Sequence, residues 1–232
     1  MNRTWLRLAR LVAMRDVRIE RRSRVGVNQV LPFAGMVMVM FGFAIDDTGV
    51  MTRVAPGLVV LATVFSLLVI VQRAFAIETE DGALDALRIA GVPASAVFWG
   101  KSVAIGAQLL VLEAVLLVLA ALLYGSEIRP SGAVLLVTTW LVATWGLAVV
   151  GTLYGGLAAG ARGRETLLPL LMLPVVAPVL IAATRAVEAA LGADAAVADG
   201  WPWVGLAAVF AVSFSAAGTL AFGPLIDHEE TP

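Results

Sequence analysis

Six stretches of this chain are long and apolar enough to cross a lipid bilayer, and no other feature constrains its fold as strongly. They lie at roughly 26–45, 55–72, 103–124, 133–155, 166–184 and 203–224. About 20 apolar residues in a helix match a hydrocarbon core of about 30 Å. Lipid offers backbone N–H and C=O groups no partner, so each such run must bond within itself as a helix. Composition agrees: 60% of the 232 residues are hydrophobic and only 14% are charged. The expected fold class is all-α, a polytopic membrane protein with six transmembrane helices. The expected organisation is a basic amphipathic interfacial helix over 1–25, a transmembrane domain over 26–224 with a cytoplasmic loop at 73–102, and an acidic tail over 225–232. The first apolar run starts only after 25 polar-rich residues and has no small-residue cleavage pattern, so it is expected to stay in the mature protein.

Charge orients the chain. With the N-terminus in the cytoplasm, the inside segments hold Arg3, Arg7, Arg10, Arg15, Arg18, Arg21, Arg22, Arg24, Arg73, Arg88, Lys101, Arg162 and Arg164, and the outside segments hold only Arg53, Arg129 and Arg185. Thirteen against three of the sixteen basic residues favours this orientation. Six spans then return the C-terminus to the cytoplasm as well.

The same composition narrows the chemistry. With no cysteine and a single histidine, His228, the chain has no thiolate metal site, no iron–sulfur cluster, no covalent haem attachment and no multi-histidine site of its own. No serine-centred nucleophile elbow and no His-Glu-x-x-His pattern occurs, so no catalytic residue and no metal ligand is assigned. Gly100-Lys101-Ser102 resembles the end of a phosphate-binding loop, but Ser95 stands where that loop needs its first glycine and no strand precedes it. Lys101 is read instead as a lysine snorkelling at the membrane boundary. If ATP drives this protein, another chain binds it. No partner is expected among nucleic acids.

On a helical wheel the basic head places Trp5, Leu8, Val12 and Ile19 on one face and Arg3, Arg7, Arg10, Arg18, Arg21 and Arg22 on the other. That pattern predicts an interfacial helix whose apolar stripe sinks into the acyl boundary while its arginines meet anionic headgroups. It reads either as an orienting anchor or as a gating or elbow helix at the cytoplasmic mouth of a transporter.

The segment from Arg73 to Pro93 contains Glu78, Glu80, Asp81, Gly82, Leu84, Leu87 and Arg88. It predicts a short capped surface helix: Asp81 is placed to cap, acids lie near the start, Arg88 near the end, and Gly91 with Pro93 supplies the stop. Leu84 and Leu87 share a face. Either a cytoplasmic protein covers that face or the helix folds back under its own bundle.

Within the spans, Glu113 is a carboxyl near the middle of the third, where an ionised group is costly. It is expected to face protein or water, either contacting a polar substrate or proton, or hydrogen-bonding a neighbour such as Thr138, Thr139 or Thr144. Gly151-xxx-Gly155 and Gly156-xxx-Gly160 allow close helix approach, within the chain or across a dimer. Pro169, Pro174 and Pro178 predict a kinked, mobile fifth span.

The order of these features resembles the cytochrome c maturation protein B family, haem exporter B permeases of ABC-2-like transporters. The matching positions are Arg15-Asp16-Val17-Arg18-Ile19-Glu20-Arg21, then Arg73, Phe75, Glu78, Asp81, Gly82, Leu84, Leu87, Pro93 and Lys101. Arg162-Gly-Arg164-Glu165, Leu167-Leu168-Pro169 and the Pro174 to Pro178 run complete them. The resemblance implies a permease that is not itself an enzyme and pairs with a separate cytoplasmic ATPase (CcmA-like). Its other implied partners are a haem-handling membrane subunit (CcmC-like), a periplasmic haem chaperone (CcmE-like) and a second copy of the chain. It implies a place in the inner membrane, haem as cargo of the complex, no covalently bound cofactor, and ATP supplied through the partner. By the same analogy the 78–91 segment is an ATPase-coupling helix, with Arg162, Arg164 and Glu165 a second cytoplasmic contact. The single proline after Leu87 departs from the family pattern, and Glu113 has no family role. A permease for another cargo, such as a lipid or drug, and a stand-alone channel or intramembrane enzyme are the other readings.

Overall fold

The computed structural model describes residues 3–23, 26–45, 47–80, 83–125, 129–159, 164–191 and 195–227. Among them nearly every residue is helical and none forms a strand. Helix α1 spans Arg3–Ser23; a π-helical turn at Gly26–Val30 leads into α2, Leu31–Ala44. Then follow α3 (Thr48–Glu80), the short α4 (Ala83–Ile89), α5 (Ala94–Tyr124), a 3₁₀ turn at Pro130–Gly132, α6 (Ala133–Ala159), α7 (Arg164–Leu191) and α8 (Val197–Asp227). Among the described residues five helices are long and apolar enough to cross a membrane, and six spans result when α1 and α2, which differ in direction by 55°, count as one. The protein is a polytopic membrane protein.

Helix α6 occupies the centre and touches α3, α5, α7 and α8. Its glycines make this possible. A Cβ on Gly155 would lie 2.5 Å from the Phe75 ring, and one on Gly156 would lie 2.6 Å from Phe222. The small-residue pattern therefore serves packing against α3 and α8 of the same chain; Gly160 lies outside the described residues. The three prolines expected to kink the fifth span all lie inside α7.

The segment between the second and third long apolar runs departs from the expected loop over 73–102. Helix α3 continues to Glu80 and α5 begins at Ala94, and the described residues between them form α4 and the turn over 90–93. Three of the charged residues that mark this stretch as polar, Arg73, Glu78 and Lys101, find partners on α1, and the helices run on past them. Helix α4 ends as expected. Gly91 takes φ +72°, its N–H donates to the Arg88 carbonyl at 2.9 Å, and the Val92 N–H donates to the Leu87 carbonyl at 3.0 Å. This is a Schellman closure, which glycine adopts without a Cβ clash. Leu87 and Val92, the positions that flank the closure, both pack against the main core.

Candidate functional site

Helix α1 does not lie free at an interface. It packs along the first half of α5, and the apolar stripe expected to enter lipid is the face that makes this contact. The Trp5 indole N–H donates to the Ser95 hydroxyl at 3.0 Å. A Cβ on Gly100 would lie 2.7 Å from both the Ala9 carbonyl oxygen and the Val12 side chain. Gly100 thus serves close helix approach inside α5, and the phosphate-loop resemblance has no loop to act in. Ser102 donates to Thr152 of α6 at 3.1 Å.

One turn further along this contact, four charges meet. Lys101 on α5 is 1% exposed. Its Nζ donates to Glu78 Oε1 on α3 at 2.7 Å and to Asp16 Oδ2 on α1 at 3.1 Å, and lies 4.9 Å from the centre of the Phe75 ring. Arg15 bridges the same two carboxylates, hydrogen-bonding Glu78 and lying 2.8 Å from Asp16. Burial disfavours the Arg15 charge, but Asp16 and Glu78 outweigh it and hold the guanidinium above its ordinary range. Arg73 of α3 faces Glu20 of α1 at 3.9 Å. Asp16, Glu20, Arg73, Glu78 and Gln108 line a cavity of about 30 Å³ between the three helices, room for a water or two. Two buried atoms without a hydrogen-bond partner among the described residues, Glu78 Oε2 and Arg73 Nε, belong to that lining.

Two expectations are corrected here. Lys101 does not snorkel; it is buried and neutralised by two carboxylates, which removes the reason for it to reach water. Glu78 does not belong to the surface helix. It lies in the last turn of α3 at 3% exposure, turned into the ionic cluster. Asp16 was the readable signal. It interrupts the apolar face at the position between Val12 and Ile19, and a lone acid on a buried stripe calls for a buried base.

The other expected site residues are placed as follows. Glu80 is the last residue of α3, and Leu84 lies within α4. Leu87 is partly buried against the chain's own core, so the fold-back reading describes it. Arg88 is exposed, and Ile89 beside it is 87% exposed. Arg164 and Glu165 open α7. Asp81, Gly82 and Arg162 lie outside the described residues, as do the last five residues of the acidic tail.

Glu113 is a separate feature. It is buried on α5 and accepts a hydrogen bond from Thr144 of α6 at 2.5 Å. Thr144 is one of the three threonines named for it on sequence grounds. The carboxyl lines an otherwise mostly apolar cavity of about 60 Å³ between α3, α5, α6 and α7.

The comparison with known proteins bears on all of these positions. The family model described as CcmB protein matches residues 7–226. This chain belongs to the CcmB protein family. Heme exporter protein B of Rhodobacter capsulatus is 34% identical over 175 residues, covering 74% of this chain and 78% of that protein. Heme exporter protein B of Paracoccus denitrificans is 31% identical over 185 residues, covering 78% and 83%. The protein of the same name from Bradyrhizobium diazoefficiens is 30% identical over 219 residues, 90% of this chain and 95% of its own length. The CcmB match takes in Arg15, Asp16, Glu78 and Lys101, so the ionic cluster lies wholly within the family's extent.

Proposed function

We propose that this chain is the membrane-spanning permease subunit of a haem-exporting ABC complex that serves cytochrome c assembly, with ATP hydrolysed by a separate subunit docked on α4. The observation that carries the reading is the similarity to proteins named heme exporter protein B over most of the chain. The excess of arginine and lysine at the end holding α1 and α4 supports a cytoplasmic location for that end, in the inner membrane, with both termini inside. Helix α4 offers an outward surface in Arg88 and Ile89. The buried cluster beside it ties the end of α3 to α1 and α5, so a push on α4 reaches three helices together.

The partners in this reading are a CcmA-like ATPase, a CcmC-like haem-handling subunit, a CcmE-like chaperone and a second copy of the chain. Haem is cargo of the complex. In this reading the chain transmits the motion that releases a loaded chaperone. The test is affinity purification of the tagged full-length chain from its own membranes, with partner identification and an absorption spectrum. An ATPase and a haem-handling protein in the eluate are expected. A chain that comes out alone, or with an ATPase and a lipid or drug exporter's other subunits, would overturn the proposal.

A further inference from the structure

We propose that the groove between α1 and α5 is a binding site for one anionic phospholipid. The groove has a volume of about 940 Å³, within the range of ligand-binding clefts. Its α1 wall repeats at four-residue intervals, Leu6, Arg10, Met14, Arg18 and Arg22, with Arg21 beside them. Its α5 wall is Trp99 and Val103. Among the described residues four arginines line it and no acidic residue does. None of the four has an ion-pair partner among the described residues. The acids of α1, Asp16 and Glu20, are turned to the other side of the helix, where Lys101 and Arg73 take them up.

Continuity with the rest of α5 identifies the occupant. Val103, Val111, Val118 and Leu122 are all exposed, and their spacing puts them along one side of the helix. In a membrane protein such a stripe faces acyl chains. Val103 is both the near end of that stripe and part of the groove floor. A chain lying on the stripe therefore leads its headgroup to the arginines, whose planar forks suit a phosphate, with Trp5 and Trp99 at the boundary where indoles favour the interface. The site differs from general attraction of a basic helix to a membrane because Arg3 and Arg7 of the same helix lie outside it.

That difference supplies the test. The full-length chain, delipidated in mild detergent, is titrated with phosphatidylglycerol or phosphatidylcholine, and bound lipid is counted by native mass spectrometry. The unaltered chain is expected to hold one phosphatidylglycerol in preference to phosphatidylcholine. R10Q/R18Q is expected to weaken that binding about 30-fold, while R3Q/R7Q, with the same loss of charge, leaves it unchanged. All four residues are exposed on α1, so both variants keep the fold. As a second readout, brominated phosphatidylglycerol is expected to quench tryptophan fluorescence more than brominated phosphatidylcholine in the unaltered chain and equally in R10Q/R18Q. Equal weakening by the two double variants would mean diffuse adsorption and overturn the site. So would equal binding of the two lipids, displacement by inorganic phosphate alone, or a second copy of the chain found cross-linked across Val103.

Discussion

Lys101 shows how a single position can be misread from its neighbours in sequence and explained by its neighbours in space. At the start of a long apolar run, a lysine usually bends back to water. Here its charge is met by Glu78 and Asp16 from two other helices, contacts 23 and 85 residues away in sequence. Pairing at that range leaves no periodic trace in a single chain, although the lone Asp16 on an apolar face points to it. By contrast, the Thr144 partner of Glu113 was within reach of sequence reasoning, because two adjacent spans can be aligned by depth. Removing one member of a buried ion pair leaves the other charge uncompensated, a loss of about 3–5 kcal/mol. Glu78→Gln and Lys101→Gln are each expected to lower the unfolding midpoint in detergent. The double variant is expected to lose less than the sum, by a coupling of about 1–3 kcal/mol. Strictly additive losses in a thermal-unfolding cycle would show that the two side chains do not interact.

At the scale of elements, the long apolar runs were legible because lipid demands helices of a fixed length, and the end of α4 was legible because Gly91 has the freedom its φ of +72° requires. The true extents of α3 and α5 were not. Both run beyond their apolar windows, where Arg73, Glu78 and Lys101 are met by residues of α1 and so do not mark a helix end. The pairing of α1 with α5 was hidden for a related reason. An apolar stripe looks the same whether lipid or a neighbouring helix covers it, and only the small Gly100 hints at close approach. The consequence for α4 is a change of contact residue. Leu87 is held by the chain's own core, which leaves Ile89 and Arg88 facing outward. Ile89→Asp combined with Arg88→Glu is therefore expected to reduce recovery of the ATPase with the tagged chain about tenfold, with the amount of chain in the membrane unchanged. Undiminished recovery would place the docking surface elsewhere.

The whole molecule is a bundle built around α6, with α1 clasped to α3 and α5 at the end where α4 projects. Its account as an ATP-driven permease requires that end to face the cell interior. The 3₁₀ turn carrying Ser131 lies at the other end of α5, about 46 Å away along a helix of 31 residues. Because the chain has no cysteine, single cysteines can be introduced without background. Ile89→Cys and Ser131→Cys, both at exposed positions, can then be exposed to a membrane-impermeant maleimide in intact cells stripped of any outer barrier. Ser131→Cys is predicted to label at once and Ile89→Cys only after the membrane is permeabilised. Labelling of Ile89→Cys in sealed cells, with Ser131→Cys protected, would contradict the account.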